Sequence, residues 1–250
     1  MNKNKDNYIL IWEDNFEKPE LDLTKWNRQV EPAGRFNEEW QRYTDDEKNS
    51  YIENNQLVIE AIHESNKHGI NQYSSGRLNT AEKFAFTYGK IVANIKLPSG
   101  KAIWPAFWML GANIDENGGD TPWPFTGEID ILELWGSVDS SIVEANVHYA
   151  DANGKHTQMG AVGYHLSNGD FTEDFHEFEL EWTPEELIWR VDGNTYHTLN
   201  ITHDKYYAFH KDFFILFNIA VGGEIAGYPD ETTPFPQKMI VDWIQVYQKK

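Results

Sequence analysis

The chain contains no cysteine in its 250 residues, which excludes disulfides, thiolate metal sites and thiol catalysis while leaving the redox compartment open. Cations are also scarce: 21 Lys and Arg stand against 40 Asp and Glu, a formal net charge of −19. A surface of that sign repels phosphate polymers and anionic lipids, so neither nucleic acid nor a membrane is an expected partner. A neutral polymer meets no such repulsion. No segment approaches the ~18 continuous apolar residues of a membrane span, and MNKNKDNY at the start has a short basic run with no apolar stretch behind it. Convincing amphipathic helices are missing as well.

What is plentiful is alternation. In Glu177, Phe178, Glu179, Leu180, Glu181 and Trp182, acids and apolar residues take opposite faces of an extended segment, which predicts a half-buried strand. Similar segments occur at 8 to 13, 56 to 63, 84 to 97, 103 to 110, 126 to 135, 142 to 149, 186 to 199, 213 to 221 and 239 to 247. Asp192-Gly193-Asn194 marks a tight hairpin, and Lys96 to Gly100 and Gly222-Gly223 are further turns. Many strands punctuated by turns predict an all-β protein, a jelly-roll β-sandwich of two antiparallel sheets. No repeat or linker divides it, so residues 8 to 250 read as one domain after a disordered segment over 1 to 7. Hydrophobic residues at 40% supply a core, and ten Trp exceed what packing requires, so some should face a ligand. The longest unpatterned loop, Ala112 to Phe125, leads directly into the most acidic strand.

That strand, residues 127 to 135, reads GEIDILELW. Glu128, Asp130 and Glu133 interrupt a segment that otherwise looks buried. Acids on a rim strand are ordinarily solvated, but here Ile129, Ile131 or Leu132, and Leu134 look like core, so the acids should line the opposite, concave face. In a regular strand Glu128 and Asp130 share a face and Glu133 points away. One extra residue near Ile131-Leu132 would turn Glu133 back, so a β-bulge is expected there. Retaining glycosidases need two carboxyls roughly 5 to 5.5 Å apart, one to attack the anomeric carbon and one to protonate the departing oxygen. Crowding and burial should raise at least one pKa, as the general acid requires, and titration should be coupled.

GEIDILE, together with SSGRLNTAEKFAFTYGKIVANIKLP (74 to 98), IWPAFWMLG (103 to 111), FNIAVGG (217 to 223) and FPQKMIVDWIQVYQ (235 to 248), resembles the laminarinase-like branch of glycoside hydrolase family 16 over nearly the whole chain. The resemblance implies a jelly roll with a carbohydrate cleft on its concave face, Glu128 as nucleophile, Asp130 as assisting acid and Glu133 as acid/base. The extra residue between Asp and the second Glu marks this branch and implies retaining endo-β-1,3-glucanase activity, with mixed-linkage β-1,3-1,4-glucan as the alternative substrate and a non-catalytic glucan-binding module as the alternative class. Retention of all three acids argues for an enzyme.

Alternation in IWPAFWML places Trp104 and Trp108 on one face, suited to stack on sugars, and Phe107 and Met109 on the other. Trp123 in the preceding loop is a further platform. The resemblance also implies that Asn37, Arg77 and His148 approach the sugar, although Arg77 equally suits a structural salt bridge and His148 a packed strand position. It implies no cofactor for catalysis and one structural Ca²⁺, with Glu13 and Asp242 as the matching acids. A monomer acting on a β-glucan polysaccharide or oligosaccharide follows, secreted, periplasmic or at the cell surface, its export signal absent from this chain. Two departures stand out. Glu224-Ile225 follow Gly222-Gly223 where relatives commonly carry a Trp, and the loop NIDENGGDTPWPFT is longer and more acidic than the short form.

Overall fold

The computed structural model describes residues 8–65, 71–136 and 139–250, so the segment 1 to 7 expected to be disordered lies outside the described residues. The alternating segments are strands. His176–Trp182 buries Phe178, Leu180 and Trp182 while Glu177, Glu179 and Glu181 point outward, as period 2 requires. The run at 186 to 199 folds back on itself as Glu186–Val191 and Asn194–Asn200. Asp192 (φ 50°) and Gly193 (φ 75°) both take positive φ, the signature of the two-residue turn that matches strand twist.

One expected strand is shorter than its pattern. Alternation covers 84 to 97, but the strand is Gly89–Lys96, because Tyr88 (φ 56°) and Gly89 (φ 144°) turn the chain and leave Phe86 an isolated bridge to Phe213. Glycine is required at that corner: a Cβ on Gly89 would lie 2.3 Å from the Tyr247 carbonyl oxygen. Short strands such as Gln41–Tyr43, Asn71–Ser75 and His156–Gln158 carried no legible pattern. The helical segments among the described residues are two 3₁₀ turns, Asp115–Asn117 and Asp204–His210, and the short α-helix Gly223–Ala226.

The strands form two sheets of a jelly-roll sandwich. An eight-stranded sheet runs in the order His156–Gln158, Ile142–Ala150, Glu128–Glu133, Ile103–Gly111, Phe213–Val221, Arg77–Asn79, Asn27–Arg28, with Val162–His165 beside Ile142–Ala150. The ten-stranded sheet is centred on Gly89–Lys96 and Gln237–Lys249. Between them lies the core, where Phe107, Ile129 and Phe217 of one sheet and Leu180, Trp189 and Val246 of the other are all 0% exposed. Each such side chain contributes about 1.5 to 3 kcal/mol by leaving water. The outer face of the eight-stranded sheet is left to the acids.

Candidate active site

Glu128–Glu133 occupies the middle of the eight-stranded sheet, and its register breaks on both sides. Toward Ile103–Gly111, Asp130 faces Trp108 while Leu132 faces Phe107; toward Ile142–Ala150, Asp130 faces Asn146 while Glu133 faces Glu144. The acidic strand thus spends one residue more than either neighbour, which is the expected bulge. Ile131 and Leu132 consequently both enter the core, at 2% and 0% exposure, and Glu133 returns to the face of Glu128 and Asp130. A bulge takes backbone groups out of the regular ladder, and a buried carbonyl needs a donor. The Trp189 indole reaches across from the opposite sheet and donates to the Asp130 carbonyl oxygen at 2.9 Å.

Each glutamate is held by an indole. Trp123 Nε1 donates to Glu128 Oε2 at 2.9 Å and Trp104 Nε1 to Glu133 Oε1 at 2.9 Å. The nearest basic side chain is a histidine: His148, directly opposite Glu128 in register, brings Nε2 to 3.3 Å from Asp130 Oδ2 and 3.9 Å from Glu128 Oε1. Behind it His148 Nδ1 pairs with His156 Nε2 at 2.8 Å, and the His156 ring packs on Trp123 with centroids 4.5 Å apart.

Burial and mutual repulsion set the proton order. Burial, then the charges of Asp130 and Glu128, hold Glu133 well above the carboxylate range. Burial and then Asp130 push Glu128 up to about 7, against the pull of His148 and Trp123. Burial raises Asp130 too, opposed by its contact with His148. For His148, burial disfavours the cation, but Asp130 and Glu128 outweigh it and raise the ring above its ordinary value. Glu133 is thus held in its protonated form well above the ordinary carboxylate range, which is the state a general acid needs.

The carboxylates open into a cleft of about 880 Å³, and Asn37, Arg77, Trp104, Trp108, Trp123 and His148 all line it. Trp104 and Trp108 face the cleft while Phe107 and Met109 are 0% exposed in the core, as alternation requires. Arg77 lies between the rings of Phe36 (4.7 Å) and Trp108 (4.8 Å), its Nε donating to Gln29 Oε1 at 2.9 Å and its Nη2 3.8 Å from Glu116 Oε1. It is both a structural ion-pair partner and a cleft residue.

Sequence reasoning missed Trp135, Asn218 and His156 in the same cleft. Trp135 packs on Trp104 with centroids 4.4 Å apart, and Asn218 accepts from Trp108 Nε1 at 2.7 Å. Period 2 from Glu133 points to Trp135, and Asn218 is the lone polar residue in the buried run FFILFNIAV. Nothing local marks His156, which reaches the site by pairing across a hairpin.

Glu13 and Asp242 lie on the ten-stranded sheet, away from this cleft. The Glu13 carbonyl oxygen accepts from Lys25 Nζ at 2.6 Å and its carboxylate from Gln245 at 3.3 Å, while Asp242 accepts from Gln56 at 2.9 Å and Asn94 at 3.4 Å. Each carboxylate thus meets amide side chains, whose own carbonyl oxygens are of the type calcium takes. Among the described residues the one group of three titratable side chains with atoms close enough to share an ion, within 4.8 Å, is Glu128, Asp130 and His148.

Known proteins are similar to this chain in sequence and fold. The model of the glycosyl hydrolases family 16 matches residues 36–245. Glucan endo-1,3-beta-glucosidase A1 of Niallia circulans is 31% identical over 96% of the chain, which spans 38% of that longer protein. A beta-glucanase of Rhodothermus marinus is 34% identical over 96% of the chain and 85% of its own length. The solved catalytic domain of an endo-1,3-beta-glucanase (laminarinase) from Thermotoga petrophila superposes with a TM-score of 0.84 at 41% identity, covering 98% of this chain and 99% of that one.

Proposed function

This chain belongs to glycosyl hydrolases family 16, and on that premise we propose that it is a retaining endo-β-1,3-glucanase of laminarinase type. The observation that carries the reading is the bulge, which turns the buried carboxylates of Asp130 and Glu133 and the half-buried one of Glu128 onto one wall of a sugar-sized cleft, with Glu133 held well above the ordinary carboxylate range.

The Glu128 carboxylate attacks the anomeric carbon while the Glu133 carboxylic acid gives its proton to the departing glycosidic oxygen. The C–O bond to the leaving chain breaks as a glycosyl ester forms on Glu128. Glu133, now ionised, takes a proton from water, which attacks the same carbon, releases Glu128 and restores the starting configuration. A protonated His148 favours the negative charge on Glu128 when it must attack, against the repulsion of Asp130: its Nε2 stands 3.3 Å from Asp130 and 3.9 Å from Glu128. Trp123 and Trp104 fix the two glutamates through their N–H groups and present ring faces to the sugar.

The cleft is complete within one copy of the chain, which supports a monomer, and its wall of aromatic rings and amides suits a neutral glucan. A polysaccharide too large to cross a membrane is met outside it, so polysaccharide degradation by a secreted, periplasmic or cell-surface protein is part of the proposal. The test is reducing-end release from linear β-1,3-glucan, mixed-linkage β-1,3-1,4-glucan and β-1,4-glucan side by side. Fast release from β-1,3-glucan is expected. Comparable rates on the mixed-linkage polymer would widen the specificity, and no release from any would leave a binding module.

A further inference from the structure

Beside the cleft lies a second hollow, of about 270 Å³, lined by Asn27, Gln29, Asn79, Ala81, Glu82 and Asn117. It lies just below the roughly 300 to 1,000 Å³ of a site for a drug-sized ligand and suits a single ring. Its lining is neutral apart from Glu82, and four of its six residues carry amides, which both donate and accept. Sugar hydroxyls do the same. Most of these amides are committed to the wall: Asn27 donates to Asn79 Oδ1 and to the Ala81 carbonyl oxygen, both at 2.9 Å, and Asn79 donates to Gln29 Oε1 at 3.1 Å. Asn117 Nδ2 is different. It is buried without a hydrogen-bond partner, an arrangement costly enough to call for a ligand group that would accept from it.

The hollow shares its wall with the cleft. Gln29 lines it and accepts from Nε of Arg77, which lines the cleft. The 3₁₀ turn Asp115–Asn117 bridges the two spaces: Asp115 and Glu116 face the cleft and Asn117 the hollow. Glu116 Oε1 is also buried without a hydrogen bond. Glu116 Oε1, ion-paired with Arg77, and the unpartnered Asn117 Nδ2 both belong to the loop whose length departs from the short form. Across from the turn, Glu82 is held at φ 60°, a left-handed conformation that costs a non-glycine residue energy and closes the rim.

We infer that this hollow receives a single sugar carried as a side branch on the glucan main chain, with Asn117 donating to one of its hydroxyls. The inference rests on the proposed glucanase activity and adds a branch-binding pocket to it. A main chain could not thread so small a space, and an anionic ligand would find no counter-charge among its amides and Glu82.

The test compares kcat/KM on linear β-1,3-glucan with that on a β-1,3-glucan bearing single β-1,6-linked glucose branches, for the wild type and for Asn117→Leu, which removes the donor and fills the hollow. The ratio of branched to linear should fall about five- to tenfold, the value of one well-placed hydrogen bond plus a steric block, while the linear rate holds. An unchanged ratio, whether both rates hold or both fall together, overturns the pocket. The wild-type rate on linear glucan separately reads the activity: if it is absent, the glucanase reading fails and takes the pocket with it.

Discussion

Two strands of this protein alternate acids with large apolar residues, and they do opposite things. In His176–Trp182 the register with Gly89–Lys96 is unbroken, and the outward acids meet strong bases: Arg190 is 2.6 Å from Glu179 and 2.9 Å from Glu181, and Lys90 is 3.5 Å from Glu179. Although burial works against its charge, Tyr8 and Arg190 hold the Glu181 carboxyl below its ordinary value. In Glu128–Glu133 the register breaks, and the nearest cation is a histidine whose own charge depends on the acids it faces. All three pKa values there go up. The pattern of residue types alone does not separate a salt-bridged face from a reactive one; the counter-charge and the bulge do.

The largest test of that contrast is Glu128→Gln. Removing the nucleophile should lower kcat by at least about 10⁴-fold on β-1,3-glucan. It should also stabilise the protein. The folded-state pKa of Glu128 is raised from 4.5 to about 7, so ionisation costs stability progressively as pH rises through that window. The glutamine variant should gain on the order of 2 to 3 kcal/mol above the window and nothing below it. Denaturant unfolding at pH 4 and pH 8 reads this; equal gains at both would contradict a buried, repelled carboxylate.

Glu133→Gln comes next. The wild-type kcat/KM should follow a bell, rising as Glu128 ionises and falling as Glu133 loses its proton, because the acid must stay protonated. The variant should lose about 10² to 10⁴-fold on glucan, keep glycosyl-enzyme formation from substrates with good leaving groups, and lose its alkaline limb. An alkaline limb that survives assigns the acid to another group.

A smaller effect is expected from Trp189→Phe, which keeps the ring in the core and deletes only the N–H that meets the Asp130 carbonyl at 2.9 Å. Stability should fall by about 1 to 3 kcal/mol, the cost of a buried acceptor left unmet. The loosened bulge should lower kcat more than it raises KM, read in steady-state kinetics on linear glucan.

Much of this was legible in the sequence because period 2 is a local rule. Alternation locates the long strands and assigns Trp104 and Trp108 to the cleft and Phe107 and Met109 to the core, and the mismatch between Glu128 and Glu133 calls for a bulge. What could not be read depends on pairing between distant segments. His156 joins His148 because His156–Gln158 pairs with Ile142–Ala150, and Trp189 finds Asp130 only across the sandwich. The strand expected to begin at residue 84 begins instead at Gly89, since backbone turns at Tyr88 and Gly89 outrank the apolar pattern around them.

Arg190→Met is the control and the smallest effect. It strips the strong base from the regular strand, leaving Glu179 and Glu181 at the surface with about a fifth of each side chain exposed. Partly solvated pairs are worth about 1 kcal/mol or less, and water can rehydrate both carboxylates once the guanidinium is gone. Stability should therefore drop by about that much at low salt and less at high salt, because screening weakens the wild-type pair. Since Arg190 is on the ten-stranded sheet and lines no part of the cleft, the rate on linear β-1,3-glucan should stay within about twofold of the wild type. A large loss of activity here would mean that the charge on the outward strand reaches the carboxylates through the core, and the contrast between the two acidic strands would then be one of degree.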